Sequence, residues 1–156
     1  MSRVKNRNTL PEVLVRSLLH RLGYRFRLHD GALPGTPDIV LPRHRVVVFV
    51  NGCFWHGHDC NRGKLPSTNA EFWAEKIAAN SARDRTNYRL LLEGEWRPIV
   101  VWACETTSLV KLTDLGHRLS AEITALSAAP PPRRRPAQGS GRCGHRDRSG
   151  LPAPER

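Results

Sequence analysis

Apolar residues at helical spacing mark the first predicted element of the chain. Thr9-Leu10-Pro11-Glu12 is typical of a helix start, because Thr9 can cap, proline is tolerated in the first turn, and Glu12 completes a capping box. Gly23 is a plausible C-terminal stop. Between these signals, leucines recur every four residues, at Leu10, Leu14, Leu18 and Leu22. The pattern therefore predicts a helix that ends before Gly23.

Three apolar stretches that follow this helix predict strands. Tyr24–Leu28 alternates between apolar and polar residues, and Asp38–Leu41 is a short run that opens with a carboxylate. Arg45–Val50 is a β-branched run with the length of a strand that is buried on both faces. Only Pro42-Arg43-His44 separates the last two stretches, so an antiparallel hairpin is their simplest arrangement.

The second half of the chain predicts two helices and one more strand. A second capping box, Thr68 to Glu71, begins a long helix from Ala70 to Glu93 that Gly94 closes. Arg97–Trp102 is a further apolar strand, and Leu112–Leu126 is a terminal helix. The order helix, strand, strand, strand, helix, strand, helix predicts an α/β or α+β domain, with a small mixed sheet and helices on both faces.

Charge adds a partner class to this picture. The 156 residues include 25 Lys+Arg and 14 Asp+Glu, a formal net charge of +11. Residues 128–156 hold seven Arg and two acids, which leaves 18 basic and 12 acidic residues, or +6, on residues 1–127. A basic domain of this kind predicts a polyanionic partner, most often nucleic acid. The Pro-, Arg- and Gly-rich composition of 128–156 predicts a disordered tail after a domain of residues 1–127.

Cysteine usage and hydropathy bear on location. The four cysteines are few and unevenly placed, which is not the pattern of a secreted disulfide framework. No apolar run approaches the ~18 residues of a membrane span, and Met1–Leu10 has no signal-peptide core. We expect a cytoplasmic protein with reduced thiols and no membrane association.

The loop after the predicted Arg45–Val50 strand is rich in metal ligands. Three thiolates and one imidazole would make a closed tetrahedral set that suits structural zinc. His56 or Asp59 could replace His58 in this set, and two buried cysteines beside unrelated histidines are the alternative without metal. The candidate ligands are Cys53, His58, Cys60 and, just past the Arg97–Trp102 strand, Cys104.

A second group of residues could carry hydrolysis. Asp38 opens a strand beside the strand that delivers His56, and a carboxylate there can hold Mg²⁺. The backbone carbonyl of Val50 could add a hard ligand, although a solvated carboxylate in a Pro-Asp turn is the alternative. His56 can activate water or hold phosphate charge near neutral pH, unless it ligates zinc instead. Glu12 could be a remote carboxylate of this site, but its capping role explains it without function.

Aromatic and basic residues suggest contacts with nucleic acid. Phe54 and Trp55 are large adjacent rings in a polar loop, suited to base stacking or to wedging into a duplex. Trp73 could join them or belong to the core of the long helix. Lys76 and Arg83 lie on the basic side of that helix, which is either a phosphate-contact surface or a solvated face.

Taken together, these residues resemble the very short patch repair (Vsr) DNA mismatch endonucleases. The resemblance runs from about Ser2 to Leu126 and is most specific across Asn51–Cys60. The matching segments are Pro37-Asp38, Phe49–Cys60, Glu71–Ile77, Asn80, Arg83-Asp84 and Val101–Glu105.

The resemblance implies a restriction-endonuclease-like α/β fold with a structural zinc site. It implies a Mg²⁺-dependent nick in the strand that carries the thymine of a T·G mismatch, the product of 5-methylcytosine deamination, in very short patch mismatch repair. It further implies a monomer that acts on double-stranded DNA in the nucleoid and is functionally linked to a cytosine-5 DNA methyltransferase. A related nuclease with another DNA target, and a zinc-stabilised DNA-binding protein without catalysis, are the alternatives.

The resemblance also implies roles for individual residues. Asp38 would bind Mg²⁺ together with the Val50 carbonyl, His56 would be the catalytic histidine, and Glu12 would lie in the surrounding shell. Asn51, expected at the DNA, stands where the best-known member has histidine, so one auxiliary imidazole is missing. The implied zinc ligands are Cys53, His58, Cys60 and Cys104, and the implied duplex-wedging and DNA-contact residues are Phe54, Trp55, Trp73, Lys76 and Arg83.

Overall fold

A four-stranded mixed sheet with helices on both faces forms the computed structural model, which describes residues 7–129. The order of helices and strands is the predicted one, and the α/β class is confirmed. The elements are α1 (Leu10–Arg21), β1 (Arg27–Leu28), β2 (Ile39–Leu41), β3 (Val46–Asn51), α2 (Ala70–Glu93), β4 (Arg97–Trp102) and α3 (Leu109–Ala128).

The strands lie in the order β1-β2-β3-β4. The predicted hairpin is confirmed, since β2 and β3 pair antiparallel with Ile39 opposite Val48. β3 and β4 pair parallel, from Val46 opposite Arg97 to Asn51 opposite Trp102. Because parallel neighbours end at the same edge of a sheet, the chain after Asn51 and the chain after Trp102 leave β3 and β4 side by side.

The core has one layer on each face of the sheet. β3 is buried on both faces, as its β-branched run predicts: Val46 and Val48 pack on one side, Val47 and Phe49 on the other. The first side is covered by α1 and α3, through Val15, Leu18, Leu19, Leu115, Leu119 and Ile123. The second side is covered by the end of α2, through Leu91.

The apolar face of α1 differs from the predicted leucine row. Val15, Leu18 and Leu19 are buried, whereas Leu10 is 70% exposed and Leu22 is also exposed. A strict four-residue spacing drifts by about 40° per step on a helix of 3.6 residues per turn. The row of leucines therefore winds off the face that meets the sheet.

The strand predicted over Tyr24–Leu28 is confined to two residues, Arg27 and Leu28. The backbone N–H of Tyr24 closes the end of α1 by donating to the Leu19 carbonyl, and Gly23 adopts a φ of +86° in the same turn. This turn keeps Tyr24 out of the sheet, although its ring still packs against the core.

The ends of the later helices also refine the predictions. α2 spans the predicted residues, but Asn69 precedes it with a φ of +56° and no side-chain cap bond, so the Thr68 capping box is not formed. α3 begins three residues before the prediction, at Leu109, because the Ser108 hydroxyl accepts from the Lys111 N–H. The helix runs through Ala128, and the predicted tail from residue 130 onward lies outside the described residues. Among residues 7–129, no helix combines the length and the apolarity that crossing a membrane requires.

Candidate active site and metal centre

A cleft of about 690 Å³ opens where the chain enters β2 and leaves β3. The structure brings Asp38 and His56 into this one cleft, together with Glu12 and Val50. Arg7, His29, Trp55 and Asp84 also line it. The groups that the sequence suggests for hydrolysis are therefore neighbours, although they come from α1, β3 and two loops.

Asp38 is a largely buried carboxylate at the base of the cleft. Its Oδ2 atom accepts a 2.7 Å hydrogen bond from the Val50 N–H. Burial raises the pKa of Asp38 and the charge of Glu12 raises it further, while the Val50 hydrogen bond, His29 and Arg16 act in the opposite direction. A carboxylate that is costly to ionise and has a second carboxylate nearby fits a bound divalent cation.

The Val50 carbonyl has no strand partner on the Asp38 side. Continuing the β2–β3 register by two residues beyond Ile39 and Val48 places Pro37 opposite Val50, and proline has no N–H to donate. Within a strand, the N–H and C=O of one residue point to the same edge. Since the Val50 N–H meets Asp38, its carbonyl faces the same end of the cleft, where it can serve as a hard ligand.

Glu12 combines the capping role with a place in the cleft wall. Its side chain is 4% exposed. Its carboxylate accepts the backbone N–H groups of Asn8 and Thr9 at 2.9 and 3.3 Å, and the Thr9 hydroxyl at 2.8 Å. Arg16 neutralises it at 2.9 Å. The cap thus holds a buried carboxylate beside Asp38.

His56 is paired with a carboxylate that the sequence analysis did not single out as a site residue. The Nδ1 atom of His56 lies 2.5 Å from Oδ2 of Asp84 on α2. A carboxylate only accepts hydrogen bonds, so Nδ1 carries the proton, and in the neutral imidazole Nε2 has a free lone pair. The pair therefore presents a candidate general base to the cleft. The sequence signal that could have identified Asp84 is its place as an acidic residue on the half-buried side of the predicted long helix.

α2 supports the loop that carries His56. The Asn80 side chain donates to the Trp55 carbonyl at 2.9 Å, and the Ser81 hydroxyl donates to the His56 carbonyl at 3.4 Å. Gly57, at φ +67°, sits so close to Ile77 that an added Cβ would lie 2.8 Å from its methyl group. The inward face of α2 is therefore used for the site, which explains why Leu91 alone among its 24 residues is fully buried.

Asn51 is the polar residue at the end of β3. It is 6% exposed, and its amide donates to the Tyr88 hydroxyl at 3.3 Å. The residue lines the cleft wall. Its predicted contact with DNA stays a prediction.

A candidate metal centre lies beside the cleft, at the common end of β3 and β4. The four predicted donors have their ligand atoms within 4.8 Å of one another: Cys53, His58, Cys60 and Cys104. His56 and Asp59 do not belong to this group, since His56 pairs with Asp84 and Asp59 is exposed. The parallel pairing of β3 with β4 produces this convergence from positions about fifty residues apart.

The electrostatics of the four-donor centre fit a bound cation. The crowding of thiols is strongest at Cys104, where burial together with Cys53 and Cys60 raises the pKa to about 11. At Cys60, burial acts upward but hydrogen bonds from His58, Arg62, Cys53 and Gly63 lower the pKa to about 7. Three sulfurs and an imidazole are the donor set of tetrahedral zinc, whose charge stabilises the thiolates.

Gly63 is a further requirement of this loop that the sequence analysis missed. Its N–H donates to the Cys60 carbonyl at 2.9 Å, and the Cys60 N–H donates to the His58 carbonyl at 2.9 Å. A Cβ on Gly63 would lie 1.9 Å from the His58 carbonyl oxygen. Only glycine therefore allows the backbone to fold this tightly around the four donors.

An aromatic cluster borders the cleft, with Trp55 in its lining. Phe54, Trp55 and Trp73 lie with ring centroids 5.2 to 5.9 Å apart, and Phe72, which the sequence analysis did not select, adjoins Trp73 at 5.2 Å. Trp55 is 38% and Phe72 55% exposed. Trp73 belongs to neither core layer. Two of the four rings are thus available at the surface.

The predicted basic contacts lie next to this aromatic cluster. The Lys76 ammonium sits 5.6 Å from the centre of the Phe72 ring, and the exposed Arg83 donates to Asn80 at 3.4 Å. Asn80 in turn holds the Trp55 backbone. Cations and exposed rings therefore share one surface beside the cleft, a combination suited to a nucleic acid.

Comparisons with known proteins agree with this chemistry. A family model described as DNA mismatch endonuclease Vsr matches residues 1–62. The chain is 55% identical over 109 residues to the type II nicking enzyme V.XorIIP of Xanthomonas oryzae, covering 70% of this chain and 80% of that protein. It is 45% identical over 131 residues to the DNA mismatch endonuclease Vsr of Escherichia coli, covering 83% and 84%. It is 43% identical over 123 residues to the type II nicking enzyme V.NmeAIP of Neisseria meningitidis, covering 79% and 88%.

Proposed function

Because the chain belongs to the Vsr family of DNA mismatch endonucleases, we propose that it nicks duplex DNA at T·G mismatches in a Mg²⁺-dependent reaction. The cut strand is the one that carries the mismatched thymine. The mismatch arises from deamination of 5-methylcytosine, so the reaction begins very short patch repair.

The observation that carries this proposal is the convergence of Asp38 and the His56–Asp84 pair on one cleft. Asp38 and the Val50 carbonyl would hold Mg²⁺, which supplies Lewis-acid stabilisation of charge on the phosphate. His56, held by Asp84, takes the proton of the attacking water at Nε2. Glu12 shapes the cleft through its cap and its charge.

Recognition rests on the aromatic cluster. A T·G pair opens at a lower free-energy cost than a matched pair, so a protein that deforms the duplex discriminates in its favour. Trp55 and Phe72 present exposed rings for wedging between base steps. Phe54 and Trp73 pack behind them and hold them in place.

We propose zinc as the structural metal of the four-donor centre. A closed set of four protein ligands leaves no position for water, so the ion orders the loop rather than the reaction. The loop between Cys53 and Cys60 also carries Trp55 and His56. Metal binding therefore preorganises the residues that meet the DNA.

Replacing Cys60 or Cys104 by serine is expected to remove the metal and destabilise the fold. The reason is that thiolate ligands contribute folding free energy that a hydroxyl does not replace. Elemental analysis of the purified protein should give one zinc per wild-type chain and much less for the variants, together with a lower melting temperature. Cys143→Ser is the matched control and should keep both; zinc retained in Cys104→Ser would contradict this ligand set.

The proposed activity is tested by nicking assays on two duplexes that differ in one base. Wild-type protein with Mg²⁺ should nick the thymine strand of a T·G duplex and leave the matched T·A duplex intact. The ratio of the single-turnover rates measures the discrimination. Equal cutting of both duplexes, or no cutting of either, would contradict the proposal.

A second candidate is a nuclease of the same family with another preferred site. Two of the relatives described above are named type II nicking enzymes rather than mismatch endonucleases. The buried Asn51 alters the cleft wall relative to the expected histidine, which favours this candidate. Nicking of a library of duplexes with randomised sequence separates the two, because the second candidate cuts matched DNA at defined sites.

The biological setting follows from the proposed substrate. A cytosine-5 DNA methyltransferase creates the base whose deamination gives the mismatch, so we propose such an enzyme as the functional partner. A single cleft that cuts one strand needs one copy of the chain, which favours a monomer. Because its proposed substrate is DNA, we propose that the protein acts at the nucleoid in the cytoplasm.

A further inference from the structure

His29 is a residue of the cleft to which neither the sequence analysis nor the proposed function gives a role. It follows β1, and its N–H donates to the Asp38 carbonyl at 3.3 Å, which places the two residues opposite each other. His29 also has a φ of +47°. A non-glycine residue in this region carries strain that the surrounding structure must offset.

The His29 ring lies between the carboxylates of Glu12 and Asp38. Its Nε2 atom is 3.8 Å from the Glu12 carboxylate, and its Nδ1 atom is 3.9 Å from Oδ1 of Asp38. The Arg16 guanidinium lies on the Glu12 side, where one nitrogen, NH2, contacts both Oε2 of Glu12 at 2.9 Å and Nε2 of His29 at 2.8 Å. Arg16 and Glu12 therefore fix the imidazole from one side.

The contact with Arg16 determines the tautomer of His29. A guanidinium has donors only, so Nε2 of His29 must be the acceptor and cannot carry a proton. The neutral imidazole then carries its proton on Nδ1, the atom that faces Asp38. Although Glu12, His29 and Asp38 lie close enough to hold a metal together, a protonated Nδ1 cannot be a ligand.

We propose that His29, oriented by Arg16, is a positioning residue that fixes the rotation of the Asp38 carboxylate. The Val50 N–H already donates to Oδ2 at 2.7 Å, and Nδ1 of His29 lies 3.9 Å from Oδ1. With one donor on each oxygen, the carboxylate of Asp38 would be held in one rotation. Its remaining lone pairs would then point in a defined direction toward the cation. The 3.9 Å separation exceeds a direct hydrogen bond, so the proposed contact requires an intervening water or a small approach of the ring when the cation binds.

The tautomer can be measured without DNA or Mg²⁺. Two-bond proton–nitrogen correlation spectra of ¹⁵N-histidine-labelled, zinc-loaded protein at mildly alkaline pH distinguish a proton on Nδ1 from one on Nε2. The His29 signals, assigned by their loss in His29→Asn, should report Nδ1–H, and Arg16→Met should shift them toward Nε2–H. A wild-type His29 protonated on Nε2 would overturn the proposal, whatever the protein does to DNA.

Two substitutions test the effect on metal binding. The amide nitrogen of Asn takes the place of Nδ1, whereas that of Gln takes the place of Nε2. His29→Asn should therefore keep Mn²⁺ affinity within about threefold of wild type, and His29→Gln should weaken it by about tenfold, the lower end for residues that orient metal ligands. Electron paramagnetic resonance of Mn²⁺ added to the zinc-loaded protein gives both affinities.

Controls separate this inference from the proposed function on which it rests. His117→Gln, an exposed histidine on α3, should leave Mn²⁺ affinity unchanged. Equal affinities for His29→Asn and His29→Gln would overturn the role of the Nδ1 donor. If Asp38→Asn also left the affinity unchanged, the failure would instead lie in the assignment of the Mg²⁺ site, and the tautomer measurement would still decide the Arg16–His29 contact.

Discussion

Asp38→Asn is expected to lower single-turnover nicking of a T·G duplex by at least about a thousandfold. An amide is a poor ligand for Mg²⁺, and the bound ion contributes several kcal/mol of transition-state stabilisation, of which about 1.4 kcal/mol corresponds to each tenfold change in rate. Rates are measured with enzyme in excess over duplex, and binding by fluorescence anisotropy. Affinity for the duplex should change little, because the substitution does not alter the aromatic cluster or the basic residues beside it.

The same substitution should not destabilise the fold. Burial raises the pKa of Asp38 above its ordinary value, which means that the native state binds the proton more tightly than the unfolded chain does. The ionised carboxylate therefore costs stability at neutral pH, and removing its charge should leave the melting temperature unchanged or raise it. Asp114→Asn, on exposed α3 surface, is the matched control. A slow and unstable Asp38→Asn would indicate a structural defect instead.

Asp84→Asn should lower nicking by about a hundredfold to a thousandfold, within the range of general acid–base catalysis. The Asp84 carboxylate keeps the His56 proton on Nδ1, whereas an asparagine amide can donate to Nδ1 and move the proton to Nε2. His56 would then lack the lone pair that accepts a proton from water. Single-turnover rates of the wild type and the variant, compared at one pH with enzyme in excess over the T·G duplex, are the measurement.

The double variant provides the control for this prediction. When two residues act as a unit, removing either one abolishes their joint contribution to the rate, and removing the second costs little more. The double variant His56→Gln, Asp84→Asn should therefore nick about as slowly as the slower single variant. Glu75→Gln, another carboxylate-to-amide change at an exposed position of α2, should retain the wild-type rate. Multiplication of the two single effects would show that His56 and Asp84 act separately.

The strands and the candidate metal centre were the parts most open to prediction from sequence. The β-branched run of Val46 to Val50 specifies a central strand, and a further apolar strand before Cys104 allows a neighbour whose end meets the same loop. Parallel pairing of β3 and β4 then brings Cys104 to Cys53. Local pattern and one topological choice brought the cysteines together, whereas the choice of His58 over His56 or Asp59 rested on the family resemblance.

The parts that sequence reasoning missed depend on how distant elements pack. Asp84 faces His56 only because the inward side of α2 lies on the loop after β3. Arg16 meets His29 because α1 covers the sheet near the end of β1. Gly63 is needed because the carbonyl oxygens of His58 and Cys53 would lie 1.9 and 3.3 Å from a Cβ at this position. Asp84 lies in a segment that matches the family, but neither its pairing with His56 nor the other two contacts can be read from local pattern.

The central claim is that Asp38 and the His56–Asp84 pair act on the same phosphodiester. A crystal structure with a T·G duplex, zinc in the four-donor centre and Ca²⁺ in place of Mg²⁺ tests it most directly. The account predicts the phosphate beside the mismatched thymine in the cleft, with Ca²⁺ on Asp38 and the Val50 carbonyl, and Nε2 of His56 facing that phosphate. A duplex bound on another surface, or a His56 turned away from the phosphate, would contradict it.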